Sequence, residues 1–269
     1  MAEIVPAIIA KDFEELKDKI KKVEPFVNWV QLDVMDGKFA PEKTWPYICH
    51  PELVSGSQNG REMPKQVRHD RIKLLKELNT KLNLEAHLMV EEPEKEIGGW
   101  IDSGVKRILV HVEAIKNDLR RTIYDLRKKC NEHGVELGLV LNLETPIDVL
   151  NDLSEFFPPR DFDGELSRTA DPSRAENHKS LFLIQLMSIA QIGYHGHYFD
   201  EKVIPKIKAL KKRRPGVRIA VDGGINKETA KMALSAGADI LVAGSAIFNN
   251  GNIEAAVKDL RDIHENKIQ

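Results

Sequence analysis

Short runs of Val, Ile and Leu alternate along the chain with segments in which apolar residues recur every three or four positions among charged ones. The short runs predict strands at Ile4–Ala10, Trp29–Asp33, Asn83–Val90, Arg107–Val112, Glu136–Leu141, Leu181–Ile189, Arg218–Val221 and Asp239–Ala243. Most lack regular polar alternation, the pattern of strands covered on both faces. The amphipathic segments predict helices. Asp12–Val23 places Phe13, Leu16, Ile20 and Val23 on one face, with Asp12 as its cap. Glu201–Lys211 and Lys227–Ser235 read alike. Asn117–Cys130 predicts a longer helix, stopped at His133-Gly134.

Successive strand starts are separated by 25, 54, 24, 29, 45, 37 and 21 residues. Four of these seven intervals fall between 21 and 29, the length of one strand plus one helix. Eight such units predict an α/β fold, a single (β/α)8 TIM barrel over residues 1–269, rather than an open doubly wound sheet. The two longest intervals hold insertions. Phe39–Asp70, rich in Pro, Gly, Ser and Asn, follows the second strand. Pro158–Lys179, polar and irregular, precedes the sixth. Neither is long or apolar enough for a second domain.

Composition narrows the function classes. With 40 Lys and Arg against 42 Asp and Glu, the net charge is −2, which leaves no electrostatic footprint for nucleic acid or anionic membrane. No apolar run approaches the roughly 20 residues of a membrane span. The first ten residues, MAEIVPAIIA, lack a basic start and read as a strand rather than a signal peptide. Cys49 and Cys130 have no metal-ligand spacing, and a reducing cytoplasm is the expected setting.

Barrels carry their chemistry at the C-terminal strand ends. There, the second strand offers Gln31 and Asp33, the third His87 and Met89, and the sixth Gln185 and Met187. The seventh ends in Asp222-Gly223-Gly224 and the eighth in Gly244-Ser245. Asp33 and Asp222 are expected to face each other across the mouth. Gln31, Asp33, His87 and Asp222 together suit a divalent cation, with zinc, manganese, iron and cobalt all open. Two opposed carboxylates beside a cation suit proton removal next to a carbonyl and proton return from the other face, which inverts a stereocentre. Gly223, Gly224, Gly244 and Ser245 can offer backbone N–H groups to a phosphate, with Ala246 opening a short helix.

The stretches VPAIIAKDF, VQLDVMDGKFAP, LEAHLMV, HVEA, LGLVLNLETP, VDGGI and AGSAIF, with Met187 through Phe199, resemble the ribulose-phosphate 3-epimerase family. The resemblance runs in order from residue 5 to about residue 260, the two insertions excepted. It implies a metal-dependent epimerase that inverts C3 of a ketopentose phosphate, with close relatives acting on allulose 6-phosphate. It implies Asp33 and Asp222 as catalytic residues and metal ligands, and His87 as a metal ligand. Met35, Met89 and Met187 would line the site. Gly223, Gly224, Gly244 and Ser245 would bind phosphate, and Gly193 and Gly196 would approach it from the strand-6 loop. A homo-oligomer is expected.

Three departures stand out. Gln31 takes the place of a metal-ligating histidine, so metal affinity should fall or shift towards harder ions. Ala7 takes the place of a serine near the substrate. The loop from Ala190 to His197 carries one extra residue, two histidines and no proline where the family usually has Glu-Pro-Gly-Phe-Gly-Gly-Gln. The alternatives are therefore a catalytically degenerate sugar-phosphate-binding barrel, or an epimerase of another phosphorylated ketose such as allulose 6-phosphate. His111 and Glu113 are expected to be structural, and His195 and His197 to be exposed loop residues.

Overall fold

Each of the eight apolar runs forms a strand: β1 (Glu3–Ile8), β2 (Trp29–Met35), β3 (Asn83–Met89), β4 (Arg107–His111), β5 (Glu136–Leu141), β6 (Leu183–Met187), β7 (Arg218–Asp222) and β8 (Ile240–Ala243). All pairings are parallel, and β8 closes on β1 through Glu3↔Ile240 to Pro6↔Ala243, giving a closed barrel in strand order β1 to β8. The protein is seen here as a computed structural model that describes residues 2–48, 63–157, 183–193 and 197–265. Pro158–Lys179, Cys49, His195 and Gly196 lie outside them.

Helices follow the strands as their amphipathic patterns require: α1 (Phe13–Val23), α2 (Lys65–Lys73), α3 (Pro93–Asp102), α4 (Leu119–Glu132), α5 (Val203–Arg213), α6 (Lys227–Ala236), α7 (Ser245–Phe248) and α8 (Ile253–Glu265). Asp12 caps α1 by accepting the Glu15 amide, and Leu16, Ile20 and Val23 are the buried face. After α4 the chain turns at Gly134, whose φ of +70° suits a residue without a side chain. Between β5 and residue 158, a 3-10 helix (Ile147–Phe156) stands in place of an α-helix. The main apolar core fills the layer between barrel and helices. A second cluster, with Val5, Leu109, Val140, Leu183, Ala220 and Ile240, fills the barrel itself.

The end of the segment Phe39–Asp70 is helical, because α2 begins at Lys65. The sequence hid it because its helical stripe is weak: Ile72 alone is buried among the nine residues. The opening of the segment folds back on β2. Thr44 Oγ accepts from the Met35 amide at 2.9 Å and donates to the Asp33 carbonyl at 2.9 Å. Trp45 is buried between Phe13 and Trp100, edge-on to the latter at 6.3 Å between ring centroids. These contacts fix the β2 end on which Asp33 sits.

Candidate active site

Side chains two residues apart on a strand share a face. On β2 that rule puts Gln31, Asp33 and Met35 on the barrel interior, and on β3 Glu85, His87 and Met89. Register then brings the rows together: Asp33 pairs with His87, Met35 with Met89 and, across β6 and β7, Met187 with Asp222. The result is a polar cluster below an open cleft. The cleft is lined by Ala7, Asp33, His87, Met89, Met187, Asp222 and the glycines of β7 and β8, among others.

Within the cluster, Gln31 Nε2 donates to Asp33 Oδ1 at 2.8 Å and to Asp222 Oδ2 at 2.9 Å, and lies 3.2 Å from His87 Nδ1. His87 Nδ1 is 3.0 Å from Asp33 Oδ1 and 3.6 Å from Asp222 Oδ2. Gln185 Nε2 also donates to Asp222 Oδ2, at 2.9 Å. Gln31, His87 and Gln185 are fully buried, and the two aspartates nearly so. The carbonyl oxygens of both glutamines are buried without a partner.

Two carboxylates in one buried pocket cannot both ionise freely. Burial, then the charge of Asp33, raise the Asp222 carboxyl to about 7 against the pull of His87 and Gln31. Burial works against a proton on His87. The hydrogen bond and charge of Asp33, with Asp222 behind it, outweigh burial and raise the His87 pKa above its ordinary value. Burial drives His111 the other way, to about 4, so that ring is neutral near pH 7.

The donor set fits a divalent cation. Ligand atoms of Asp33, His87 and Asp222 all lie within 4.8 Å of one another. The spacings among the four polar ends, from 2.8 to 3.6 Å, bracket the separation of about 3.3 Å between ligands around a tetrahedral zinc ion. Gln31 meets this requirement only with its carboxamide turned over. Nitrogen inward, it satisfies the two carboxylates itself; oxygen inward, its unpartnered Oε1 becomes a fourth donor.

The other expected site residues divide into two groups. Met89 and Met187 line the cleft, with Gly193, Gly223, Gly224, Gly244 and Ser245 around them. Met35 does not line it. It is fully buried behind Met89 and Ala40, because the segment after β2 folds over it. Ala7 lines the cleft with a methyl group only. His197 is a half-buried wall of the cleft rather than an exposed loop residue. Gly193 packs against Met35 and Ala40 where a side chain would collide. Gln185, assigned no role from sequence, holds Asp222. The signal was its position two residues before Met187 on the same strand face.

Among the described residues no helix is long and apolar enough to cross a membrane. Solved structures share the fold at low sequence identity. 3-hexulose-6-phosphate synthase from Salmonella typhimurium aligns over 98% of this chain and 99% of its own, with a TM-score of 0.61 at 16% identity. 3-keto-L-gulonate-6-phosphate decarboxylase from Vibrio cholerae aligns over 98% and 97%, with a TM-score of 0.61 at 11% identity. Sequence relatives are nearer. The chain is 32% identical to ribulose-phosphate 3-epimerase of Bacillus subtilis, covering 97% of this chain and 99% of that one. It is 34% identical to ribulose-phosphate 3-epimerase of Synechocystis sp., covering 96% and 93%. The model of the ribulose-phosphate 3 epimerase family matches residues 66–157 and 175–248. With a closed parallel barrel, the paired aspartates and these relatives, the chain is an enzyme that belongs to the ribulose-phosphate 3-epimerase family.

Proposed function

We propose that this enzyme is a metal-dependent sugar-phosphate 3-epimerase that interconverts D-ribulose 5-phosphate and D-xylulose 5-phosphate. The observation that carries the reading is the buried Asp33–His87–Asp222 group at the floor of a cleft walled by Met89, Met187 and the glycines of β7 and β8. The two carboxyls differ in what they can do. Asp222, with its raised pKa, is the one suited to hold a proton, which leaves Asp33 as the base. Asp33 takes the C3 proton, and the electron pair of the broken C–H bond moves into an enediolate. Asp222 delivers its proton to C3 from the opposite face, and the stereocentre inverts. In the reverse direction the two exchange roles.

Asp33, His87 and Asp222, with Gln31 Oε1 as fourth donor, would hold the ion: zinc, iron, manganese or cobalt. When bound, such an ion supplies Lewis-acid stabilisation of the enediolate oxygens. Met89 and Met187 give the reacting carbons apolar walls, and Met35 backs Met89. Gly223, Gly224, Gly244 and Ser245 are the proposed phosphate contacts, with Gly193 and Gly196 in the covering loop. One barrel domain would carry all of this, its activity set in the cytoplasm.

Gln31 favours a second reading. With nitrogen inward it satisfies both carboxylates without an ion, as a sugar-phosphate-binding barrel without turnover would require. Proton exchange at C3 of ribulose 5-phosphate, run with added Mn, Zn, Co or Fe, separates the two. Exchange with at least one metal is expected, and Asp222→Asn should lower it by roughly 10²–10⁴-fold. No exchange with any metal, alongside tight sugar-phosphate binding, selects the second reading. Exchange on allulose 6-phosphate in preference to ribulose 5-phosphate would replace the substrate and keep the chemistry.

A further inference from the structure

Beside the proposed cation site, β4 supplies a second histidine that this chemistry has not used. His111 stacks on His87 with ring centroids 5.1 Å apart and planes 19° apart. Its Nε2 lies 2.9 Å from Nε2 of His87, and both rings are fully buried. At that distance one N–H, and only one, sits between the two nitrogens: two bare lone pairs repel, and two hydrogens collide. The direction of that single hydrogen bond sets the tautomer of both rings.

Glu113 is placed to choose the direction. Its Oε1 accepts from the Asn142 backbone N–H at 2.8 Å and from the Thr145 hydroxyl, two groups on the far side of the carboxyl. Its Oε2 faces His111 Nδ1 at 3.4 Å, and neither atom has a hydrogen-bond partner elsewhere. Burial disfavours the charge on Glu113, but His111, Thr145 and the Asn142 amide outweigh it and hold the carboxyl below its ordinary value. A carboxylate facing Nδ1 draws the proton to that nitrogen. His111 Nε2 is then bare and accepts, so His87 must donate through its own Nε2. What remains is His87 Nδ1, which faces Asp33 and Asp222; with no cation bound, a second proton on this nitrogen donates to Asp33, and that proton is the one a cation displaces.

We propose that Glu113 and His111 are positioning residues, a two-step relay that fixes the proton of His87 on Nε2 and so leaves Nδ1 to ligate a divalent cation. Ligating histidines commonly have their second nitrogen held by a carboxylate directly; here a neutral imidazole stands between. The inference rests on the metal-dependent reading above, but its primary readout does not.

Glu113→Gln is the decisive variant. The Asn142 N–H can only donate, so the glutamine oxygen must take the place of Oε1. Its NH2 then points at His111 Nδ1 and forces the opposite tautomer through both rings, putting a proton on His87 Nδ1. Nitrogen-15 NMR of the ring nitrogens in the full-length protein should find His111 protonated on Nδ1 in the wild type and on Nε2 in Glu113→Gln. Zinc affinity should fall by roughly 10–100-fold in Glu113→Gln. It should fall less in Glu113→Ala, which removes the bias without reversing it. A packing role predicts the reverse order, since glutamine keeps the volume that alanine loses. His111 protonated on Nε2 in the wild type overturns the proposal without any variant. So does a Glu113→Gln protein that keeps the wild-type tautomer, or a larger zinc loss in Glu113→Ala. Should the tautomers switch as expected while the wild type takes up none of zinc, iron, manganese or cobalt, the metal-dependent reading falls and the tautomer relay stands.

Discussion

The two ends of the barrel interior bury charge in opposite ways. At the bottom, Arg107 donates to Glu85 at 2.7 Å and to Glu136 at 2.8 Å, and its guanidinium lies 4.0 Å from the centre of the Trp29 ring. Each charge there has an opposite charge beside it. At the mouth, two carboxylates converge on a neutral amide and an imidazole, with no lysine or arginine within bonding reach among the described residues of the cluster. The bottom end is matched and closed. The mouth is under-neutralised, and the Asp222 carboxyl is pushed up from its ordinary value. Both sets sit on the same strand faces, so a buried charge in this barrel means support at one end and reactivity at the other. Three experiments test that contrast.

The largest effect belongs to the matched end. Burial pushes the Glu85 carboxyl up even with Arg107 beside it, so Glu85 depends on that one partner. Arg107→Ala strands a carboxylate that is 2% exposed and should cost roughly 3–5 kcal/mol of stability, measured by urea unfolding. Residual folded protein should keep its kcat. Arg107→Met with Glu85→Met should recover most of the loss, because an apolar pair of similar volume needs no neutralising. A kcat that falls along with stability would erase the division between the two ends.

Next comes the acid crowded at the mouth. The Asp222 carboxyl titrates near 7 when folded and near 3.8 when free. A folded pKa above the unfolded one stabilises the fold when the group is protonated. That contribution is fully present below pH 3.8 and is lost as pH rises through about 7. Each pH step of one between those two values is worth about 1.4 kcal/mol. Metal-free wild type should therefore lose roughly 2–4 kcal/mol relative to Asp222→Asn across that window. Saturating zinc should reduce the loss. Parallel stability profiles for the two proteins would show that the mouth is as well neutralised as the bottom.

What the sequence made legible follows the range of the forces involved. Strands and barrel closure were readable because continuous apolar runs and their spacing are local signals. Asp33, His87 and Asp222 were readable as polar residues at strand ends. α2 was not, since one buried residue leaves no stripe to detect. The relay was not, because it depends on stagger between strands. On β4 it is Leu109 that pairs with His87, and His111 lies two residues further along. That offset places His111 beside the His87 ring, whereas direct register pairs Arg107 with Glu85, and periodicity within one strand can show neither. The burial of Met35 was not legible for a similar reason: the segment returning after β2 covers it.

The smallest effect tests how tightly the mouth is closed from above. Gly224 holds a φ of +62°, and a Cβ there would lie 2.4 Å from the Phe199 amide nitrogen and 2.8 Å from its Cα. Those are backbone atoms of the segment after β6, so they can yield only by moving the chain that would cover the substrate. Gly104 supplies the control. Its φ is +88°, but a Cβ added there meets nothing within 4 Å. Both alanine variants bear the left-handed strain of roughly 1–2 kcal/mol, and both should melt at lower temperature. Gly224→Ala alone should also raise KM for the sugar phosphate, by about tenfold if some 1.4 kcal/mol of phosphate contact is lost, with a smaller change in kcat. Equal KM values in the two variants would mean that the segment at Phe199 does not close on the phosphate, and that the mouth is bounded by its buried acids alone.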